Sequence, residues 1–194
     1  MKKSLKVLLA EDEYLCLIGL VNNLKELGHE VVGTAANGEE VIKMALDKKP
    51  DLIITDINMP ILDGVEAIRK INEQVSIPSI IVSGYYDRES IERATKQGIF
   101  SYLIKPVYVH DLKVAIEVSM SKFKEFEKIK NKLQSTERAL EGRKYIEKAK
   151  GIIMDRFRLN EDESMKKLQK MSKDNNKKMV DIAKEIINAN NILS

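Results

Sequence analysis

Five polar side chains stand at the ends of four short apolar runs, and their types could hold a cation beside a phosphoryl group. Glu11 and Asp12 follow Val7-Leu8-Leu9-Ala10, Asp56 follows Leu52-Ile53-Ile54-Thr55, Ser83 follows Ile80-Ile81-Val82, and Lys105 follows Tyr102-Leu103-Ile104. If the runs are parallel strands of one sheet, these ends share the edge where open α/β folds bind ligands. Three carboxylates brought together repel and favour a cation. With oxygen donors and no His or Cys nearby, a hard ion such as Mg²⁺ suits them. The ion and the Lys105 ammonium would then favour a phosphoryl group on a neighbouring oxygen. Taken singly, each residue reads as surface polarity, and Asp56-x-Asn58-x-Pro60 as turn chemistry. The agreement of independent run ends favours a site.

The elements that would position them can be read in order. Leu52-Ile53-Ile54, bounded by Pro50 and a polar cluster, predicts a central strand buried on both faces. Before it, Lys6 to Ala10 is a first strand, and Leu17, Leu20, Val21, Leu24 and Leu27 mark one face of a helix stopped by Gly28. Val31 to Thr34 is a second strand, and Gly38 to Lys48 a helix with Val41, Ile42 and Ala45 apolar. After Pro60 and Gly64 come a helix over 65–73, a strand from Ile77 to Ser83, a helix over 87–97 ending at Gly98, and a strand from Ser101 to Ile104. This alternation predicts an α/β fold with a five-stranded, doubly wound parallel sheet.

The chain has 194 residues, 43% hydrophobic and 32% charged, the composition of a folded protein with a real core. Its apolar runs are strand-sized, so none is expected to span a membrane. The Met-Lys-Lys start lacks a following hydrophobic region, which argues against export and for a cytoplasmic location. Cys16, the single cysteine, reads as a small buried hydrophobe among Leu15, Leu17 and Ile18. The net charge of +3 hides an asymmetry. Residues 1–121 hold 14 Lys and Arg against 18 Asp and Glu, whereas residues 122–194 hold 19 against 12. All four prolines fall in the first part. Such a split points to an acidic ligand site joined to a nucleic-acid-facing module.

From Val109 to Gly142 the chain has neither proline nor glycine. Leu112, Ile116, Ser119, Phe123, Phe126, Lys130, Leu133, Glu137 and Leu140 follow alternating spacings of four and three. This predicts that the last helix of the α/β part continues into a coiled coil pairing two chains, with Lys130 and Glu137 as misfits in the seam. The alternative is a lone helix packed on its own C-terminal domain. The remainder reads as three helices. The first has a stripe of Gly142, Ile146, Ala149, Ile153 and Phe157. The second opens on an Asn160/Glu163 capping box and buries Met165, Leu168 and Met171. The third starts near Asn175 and buries Met179, Ile182, Ala183, Ile186 and Ile187. Arg143 and Lys150 lie seven residues apart on one helical face, and Lys177-Lys178 begin another helix, which allows a basic surface facing phosphates. Gly151 in mid-helix is costly unless something approaches closely. Three short helices could equally be a helix-turn-helix reader of DNA.

Residues 1–120 resemble the receiver domain of two-component response regulators. The resemblance rests on Glu11-Asp12, Asp56 with Met59-Pro60 and Asp63-Gly64, Ser83-Gly84, Tyr102 and Lys105-Pro106. It implies that a sensor histidine kinase phosphorylates Asp56, an in-line carboxylate nucleophile. Asp12, Asp56 and the backbone carbonyl of Asn58 would coordinate Mg²⁺, with Glu11 acting through water. Glu11 stands where many receivers have Asp. Lys105 would pair with phosphoryl oxygens, and positioning of this kind is nearly all that phosphoryl transfer requires. The resemblance also implies a cis Lys105–Pro106 bond. In its switch, Ser83 bonds the new phosphate and Tyr102 rotates into the vacated space. Asn58 and Tyr85 would lie where access of hydrolytic water is controlled.

A second resemblance covers residues 135–192. Arg143-x-x-Ile146-x-x-Ala149-Lys150-Gly151-Ile152-Ile153-Met154, with Leu140 before it and Asn160-Glu161-Asp162-Glu163 and Leu168 after, is similar to the ANTAR domain of transcription antiterminators. Ser164 replaces an alanine usual there. The segment 109–140 would be the helical linker, shared with the last receiver helix. The resemblance implies binding of paired RNA hairpins in nascent transcripts, which prevents termination, with Arg143, Lys150, Gly151, Lys177 and Lys178 as contact positions. The expectation is a phosphorylation-controlled regulator, dimeric when phosphorylated, whose only catalysis is phosphoryl transfer and dephosphorylation at Asp56. A DNA-binding response regulator is the main alternative, and a phosphorelay or scaffold protein a third.

Overall fold

The structure, a computed structural model, describes residues 4–84 and 99–193. The helix expected over 87–97 and the position of Tyr85 lie outside the described residues. The chain divides into two compact units, residues 1–126 and 127–194.

In the first unit, β1 (Lys6–Ala10), β2 (Glu30–Ala35), β3 (Leu52–Asp56), β4 (Ser79–Ser83) and β5 (Ile99–Ile104) form one parallel sheet in the order β2-β1-β3-β4-β5. The sheet is covered on both faces, which is why β3 and β4 are buried along their whole length. Alternation along β1 sorts the core into two layers. Val7 and Leu9 pack with Leu20 and Leu24 of α1 (Tyr14–Glu26). Leu8 and Ala10 pack with Val41 and Ala45 of α2 (Gly38–Lys48) and with Ile68 and Ile71 of α3 (Gly64–Asn72). Helix starts follow local chemistry: the Asn37 and Asp63 side chains accept hydrogen bonds from the backbone N–H of Glu40 and Glu66. Gly64 is required by proximity, since a Cβ there would lie 1.9 Å from the Asp56 carbonyl oxygen.

Helix α4 runs from Val109 to Phe157, 49 residues without interruption. It takes in the last helix of the α/β unit, the expected linker, and what the stripe from Gly142 had marked as a separate helix. Its first turns correct the seam. Leu112, Ile116 and Ser119 are buried in the first unit's own core, and Phe123 and Phe126 pack edge-on against Phe100, at 5.9 and 6.2 Å between ring centroids. Leu112, Ile116 and Ser119 thus close the first unit's own core, whereas Phe126 keeps 47% of its surface exposed. Farther along, Leu133 and Leu140 are exposed, and so is Ile129 at 68%. Ile129 replaces Lys130 as the apolar position. Intervals from Phe126 to Ile129 to Leu133 then suit a helical seam without a buried charge.

The second unit packs α4 against α5 (Glu161–Asp174) and α6 (Met179–Leu193). Ala149, Ile153, Leu168, Ile182, Ala183 and Ile187 form its core. The Asn160/Glu163 capping box is present. A Cβ on Gly142 would meet Val180 at 2.9 Å, so the missing side chain lets α6 approach α4. Three details differ from the reading of the sequence. Asn175 ends α5 instead of opening the next helix, because Asn176 takes a left-handed φ of 50° and α6 begins only at Met179. Lys177 and Lys178 therefore lie in the turn. Phe157 is 51% exposed, off the buried stripe that ends at Ile153. No described helix is long and apolar enough to cross a membrane.

Ser164 is fully buried and its hydroxyl has no hydrogen-bond partner among the described residues. An unpaired buried hydroxyl is destabilising, so Ser164→Ala is expected to raise the stability of the second unit by about 1 kcal/mol. Urea unfolding measures it; a loss of stability would show that the hydroxyl is bonded.

Candidate functional site

The strand ends converge. Because β1 and β3 are neighbours, Glu11 and Asp12 emerge beside Asp56. Glu11 is 2% exposed and Asp56 6%, while Asp12 is open to solvent. Each offers a carboxylate oxygen within 4.8 Å of the others. Lys105 reaches in from the end of β5, anchored where its backbone N–H donates to the Ser83 carbonyl at 2.9 Å. Its Nζ donates to Glu11 Oε1 at 2.8 Å and Asp56 Oδ2 at 2.7 Å, with Glu13 Oε2 at 3.7 Å. The Asn58 backbone N–H donates to Asp56 Oδ1 at 3.3 Å, and that of Glu13 to Glu11 Oε1 at 3.3 Å. The Lys105–Pro106 bond is cis.

Electrostatics follow from burial. Desolvation raises the pKa of Glu11, reinforced by the Asp56 charge and opposed by Lys105. Burial works against the Lys105 charge, but its hydrogen bonds to Asp56 and Glu11 outweigh that and raise its pKa, so the ammonium persists. Three carboxylates against one ammonium leave a formal charge of −2 at the edge of the sheet. Glu11 Oε2 is buried without a partner among the described residues. An orphaned buried carboxylate oxygen, all-oxygen donors and a negative balance fit a hard divalent cation held by Glu11, Asp12 and Asp56.

Ser83 ends β4 and is buried; Tyr102, on the adjacent β5, packs against Ile57, Val65 and Ile81. Two neighbours were missed in the sequence. Glu13 approaches Lys105, and the run Glu11-Asp12-Glu13 was its only signal. Cys16 is half-buried, and its thiol donates to Glu13 Oε2 at 3.1 Å, a bond that raises its pKa. It is not a buried hydrophobe, and a sulfur does stand near the acids, because the first turn of α1 folds back toward them.

The basic positions of the second unit divide. Arg143 and Lys178 are exposed, with no ion pair among the described residues. Lys177 pairs with Glu185 at 2.6 Å. Lys150 is only 9% exposed and its Nζ lies 2.5 Å from Glu147 and 2.7 Å from Glu161. Those hydrogen bonds raise its pKa and lower that of Glu161. Lys150 thus ties α4 to the start of α5. A Cβ on Gly151 would meet nothing within 4 Å, so no neighbouring helix explains that glycine.

Removing Lys105 leaves buried carboxylates facing one another. Lys105→Met is expected to lower stability by up to about 3 kcal/mol in chelator, below the full value for a buried pair because the lysine keeps some solvent contact. Mg²⁺ should recover more stability in the variant than in the wild type. Thermal unfolding in EDTA and in Mg²⁺ checks both, and equal Mg²⁺ increments would disprove the electrostatic account.

Comparison with known proteins agrees with this geometry. The family model for the response regulator receiver domain matches residues 7–117, and that for the ANTAR domain matches residues 134–187. The transcriptional regulatory protein PdtaR of Mycobacterium tuberculosis is 34% identical over 182 residues, covering 94% of this chain and 89% of that protein. The receiver domain of a modulated diguanylate cyclase from Desulfovibrio desulfuricans G20 superimposes with a TM-score of 0.59 at 35% identity, over 63% of this chain and 98% of that one. Likeness of the receiver alone does not fix an output. Protein-glutamate methylesterase/protein-glutamine glutaminase 2 of Methanospirillum hungatei JF-1 is 42% identical over 106 residues, 53% of this chain but 30% of that protein. The second unit and the full-length match to PdtaR decide the matter: the chain belongs to the two-component response regulators that join a receiver domain to an ANTAR domain.

Proposed function

We propose that this response regulator is phosphorylated on Asp56 by a sensor histidine kinase and thereby controls binding of its ANTAR domain to hairpin RNA, preventing transcription termination. The observation that carries the first half is the buried Asp56 carboxylate, held by Lys105 beside Glu11 and Asp12. Asp56 attacks the phosphoryl group in line; an O–P bond forms as the P–N bond to the kinase histidine breaks, and the leaving imidazole takes a proton from solvent. Lys105 follows the charge from the carboxylate to the phosphoryl oxygens. Asp12, Asp56 and the Asn58 carbonyl would hold a Mg²⁺, with Glu11 acting through water, and the ion would supply further neutralisation of that charge. Beside the site, α1 exposes Tyr14, Leu15 and Ile18, an apolar face that a kinase helix could cover.

The buried Ser83 hydroxyl, at the end of the neighbouring strand, donates to the new phosphate. Tyr102 then leaves its packing against Ile57 and Ile81, which changes the surface around β5. Ile129, Leu133 and Leu140 offer an apolar seam for a second copy in the phosphorylated state. The RNA reading is supported by the ANTAR match and by exposed Arg143 and Lys178, with Lys177 held by Glu185 next to them. A DNA-binding output is the second reading, favoured only by the three-helix unit.

Asp56→Asn is expected to take up no phosphate from acetyl phosphate in Mg²⁺, whereas wild type gains one phosphoryl mass by intact mass spectrometry. Label on the variant would refute the assignment. Gel shifts should show hairpin RNA bound in preference to duplex DNA, and the reverse order would move the output to DNA. Gly151→Ala makes a sharper case. With open space at that position, helix propensity should stabilise the variant by up to about 1 kcal/mol. If RNA packs against that face, hairpin affinity should fall at the same time. Improved stability with unchanged affinity would remove Gly151 from the interface.

A further inference from the structure

The second unit carries a cavity of about 220 Å³ that the regulatory reading does not use. Ile152 and Ile153 of α4, Met171 of α5 and Ile186 of α6 give it apolar walls, and Arg156 and Lys167 also line it. Phe157 also lines it, half of its ring in solvent, with Lys167 Nζ 3.7 Å from the ring centroid. Neither Arg156 nor Lys167 has a carboxylate partner among the described residues. Interiors close-pack wherever they can, so an open apolar slot with an aromatic wall and two cations that lack carboxylate partners among the described residues, one of them over the Phe157 ring, is a surface of particular chemistry.

Three occupants can be weighed. A small apolar molecule would match the walls and leave both cations idle. A second copy of the chain meets a charge obstacle, since residues 127–194 hold 17 Lys and Arg against 11 Asp and Glu, a net +6. A flat unsaturated ring carried on an anionic backbone matches every feature: its faces suit Phe157 and the aliphatic walls, and its flanking phosphates suit Arg156 and Lys167. Position agrees. Phe157 falls seven residues after Lys150 and fourteen after Arg143, so its exposed ring continues the helical stripe on which the exposed Arg143 lies. Lys150, inside that stripe, is held by Glu161 at the start of α5 and locks the helix that presents Phe157.

We propose that this cavity takes one unstacked base from the loop of the bound RNA, with Phe157 as the stacking platform and Arg156 and Lys167 on the adjoining phosphates. The inference rests on the RNA reading above and adds to it a site that discriminates the loop from the stem, because only an unpaired base can leave its stack to enter.

The test uses the full-length chain treated with acetyl phosphate and Mg²⁺, and RNA hairpins selected by it from a pool with randomised loops. Each loop position of the selected hairpin is then made abasic. One position should stand out, where loss of the base weakens binding roughly 5- to 100-fold. Phe157→Ala and the cavity-filling Met171→Trp should weaken binding of the intact hairpin to a similar extent. Neither should weaken the abasic hairpin further, which ties the base to the cavity. Arg156→Gln should reduce the slope of log affinity against log salt by roughly 0.7. Circular dichroism melts confirm folding, and Phe157, already half in solvent, is the variant least exposed to that concern. If hairpins are selected but Phe157→Ala binds them like wild type, the proposal is overturned while the RNA reading stands. If Met171→Trp alters molecular mass and leaves hairpin affinity alone, the cavity is a contact between copies and the proposal fails. If the pool yields no hairpin, reading and proposal fall together.

Discussion

The first unit depends on one lysine. Glu11 and Asp56 are buried carboxylates on neighbouring strands, and burial of two like charges without a counter-ion would be strongly unfavourable. Lys105 hydrogen-bonds both. Its strand is not adjacent to theirs: in the order β1-β3-β4-β5, β4 stands between β3 and β5. Two strand spacings are about 10 Å, which calls for a long side chain directed back across the sheet edge. A short cation would not cover the distance. Neutralisation remains incomplete, and the residual negative charge and the orphaned Glu11 oxygen are what make the edge receptive to a metal ion. A structure that satisfied every carboxylate internally would have nothing left to offer one.

The same tension organises the surroundings. Asp56 sits where β3 meets the turn into α3, and Gly64 lets that turn close on the Asp56 carbonyl. Ser83 and Lys105 are coupled by a backbone hydrogen bond between their strands, so the hydroxyl and the ammonium keep a common frame. Tyr102 directly follows Ser101, whose hydroxyl donates to the Ala115 carbonyl of α4 and accepts from Ser119. A polar contact thus joins β5 to the helix that leaves the receiver. The strands that carry Asp56, Ser83 and Lys105 to the edge therefore pack through to α4.

The second unit solves a different problem. It is small, so its core of alanines, isoleucines and Leu168 needs close helix approach, supplied by Gly142 against Val180. The Lys150 link to Glu147 and Glu161 fixes the start of α5 on α4. Its surface stays basic because most lysines point outward. What distinguishes one cation from another there is whether a carboxylate stands within reach: among the described residues Lys150 and Lys177 have one, whereas Arg143 and Lys178 do not.

Much of this was decided by the amino-acid sequence. Runs such as Leu52-Ile53-Ile54 can be satisfied only by burial on both faces, and a parallel sheet then carries Glu11, Asp12, Asp56, Ser83 and Lys105 to one edge. Asn160 and Glu163 specify their own cap, because the bonds involved span three residues. Other features required the folded chain. Spacing alone placed Leu112, Ile116 and Ser119 in a pairing seam, but a 3.6-residue helix facing a sheet and one facing another helix bury nearly the same positions. The partner is a matter of tertiary contact. Lys150 and Arg143 share a helical face in the sequence, and only the return of α5, which brings Glu161 beside Lys150, separates a structural cation from an available one. Periodicity sets which residues face inward, while the identity of what they face is a property of three dimensions.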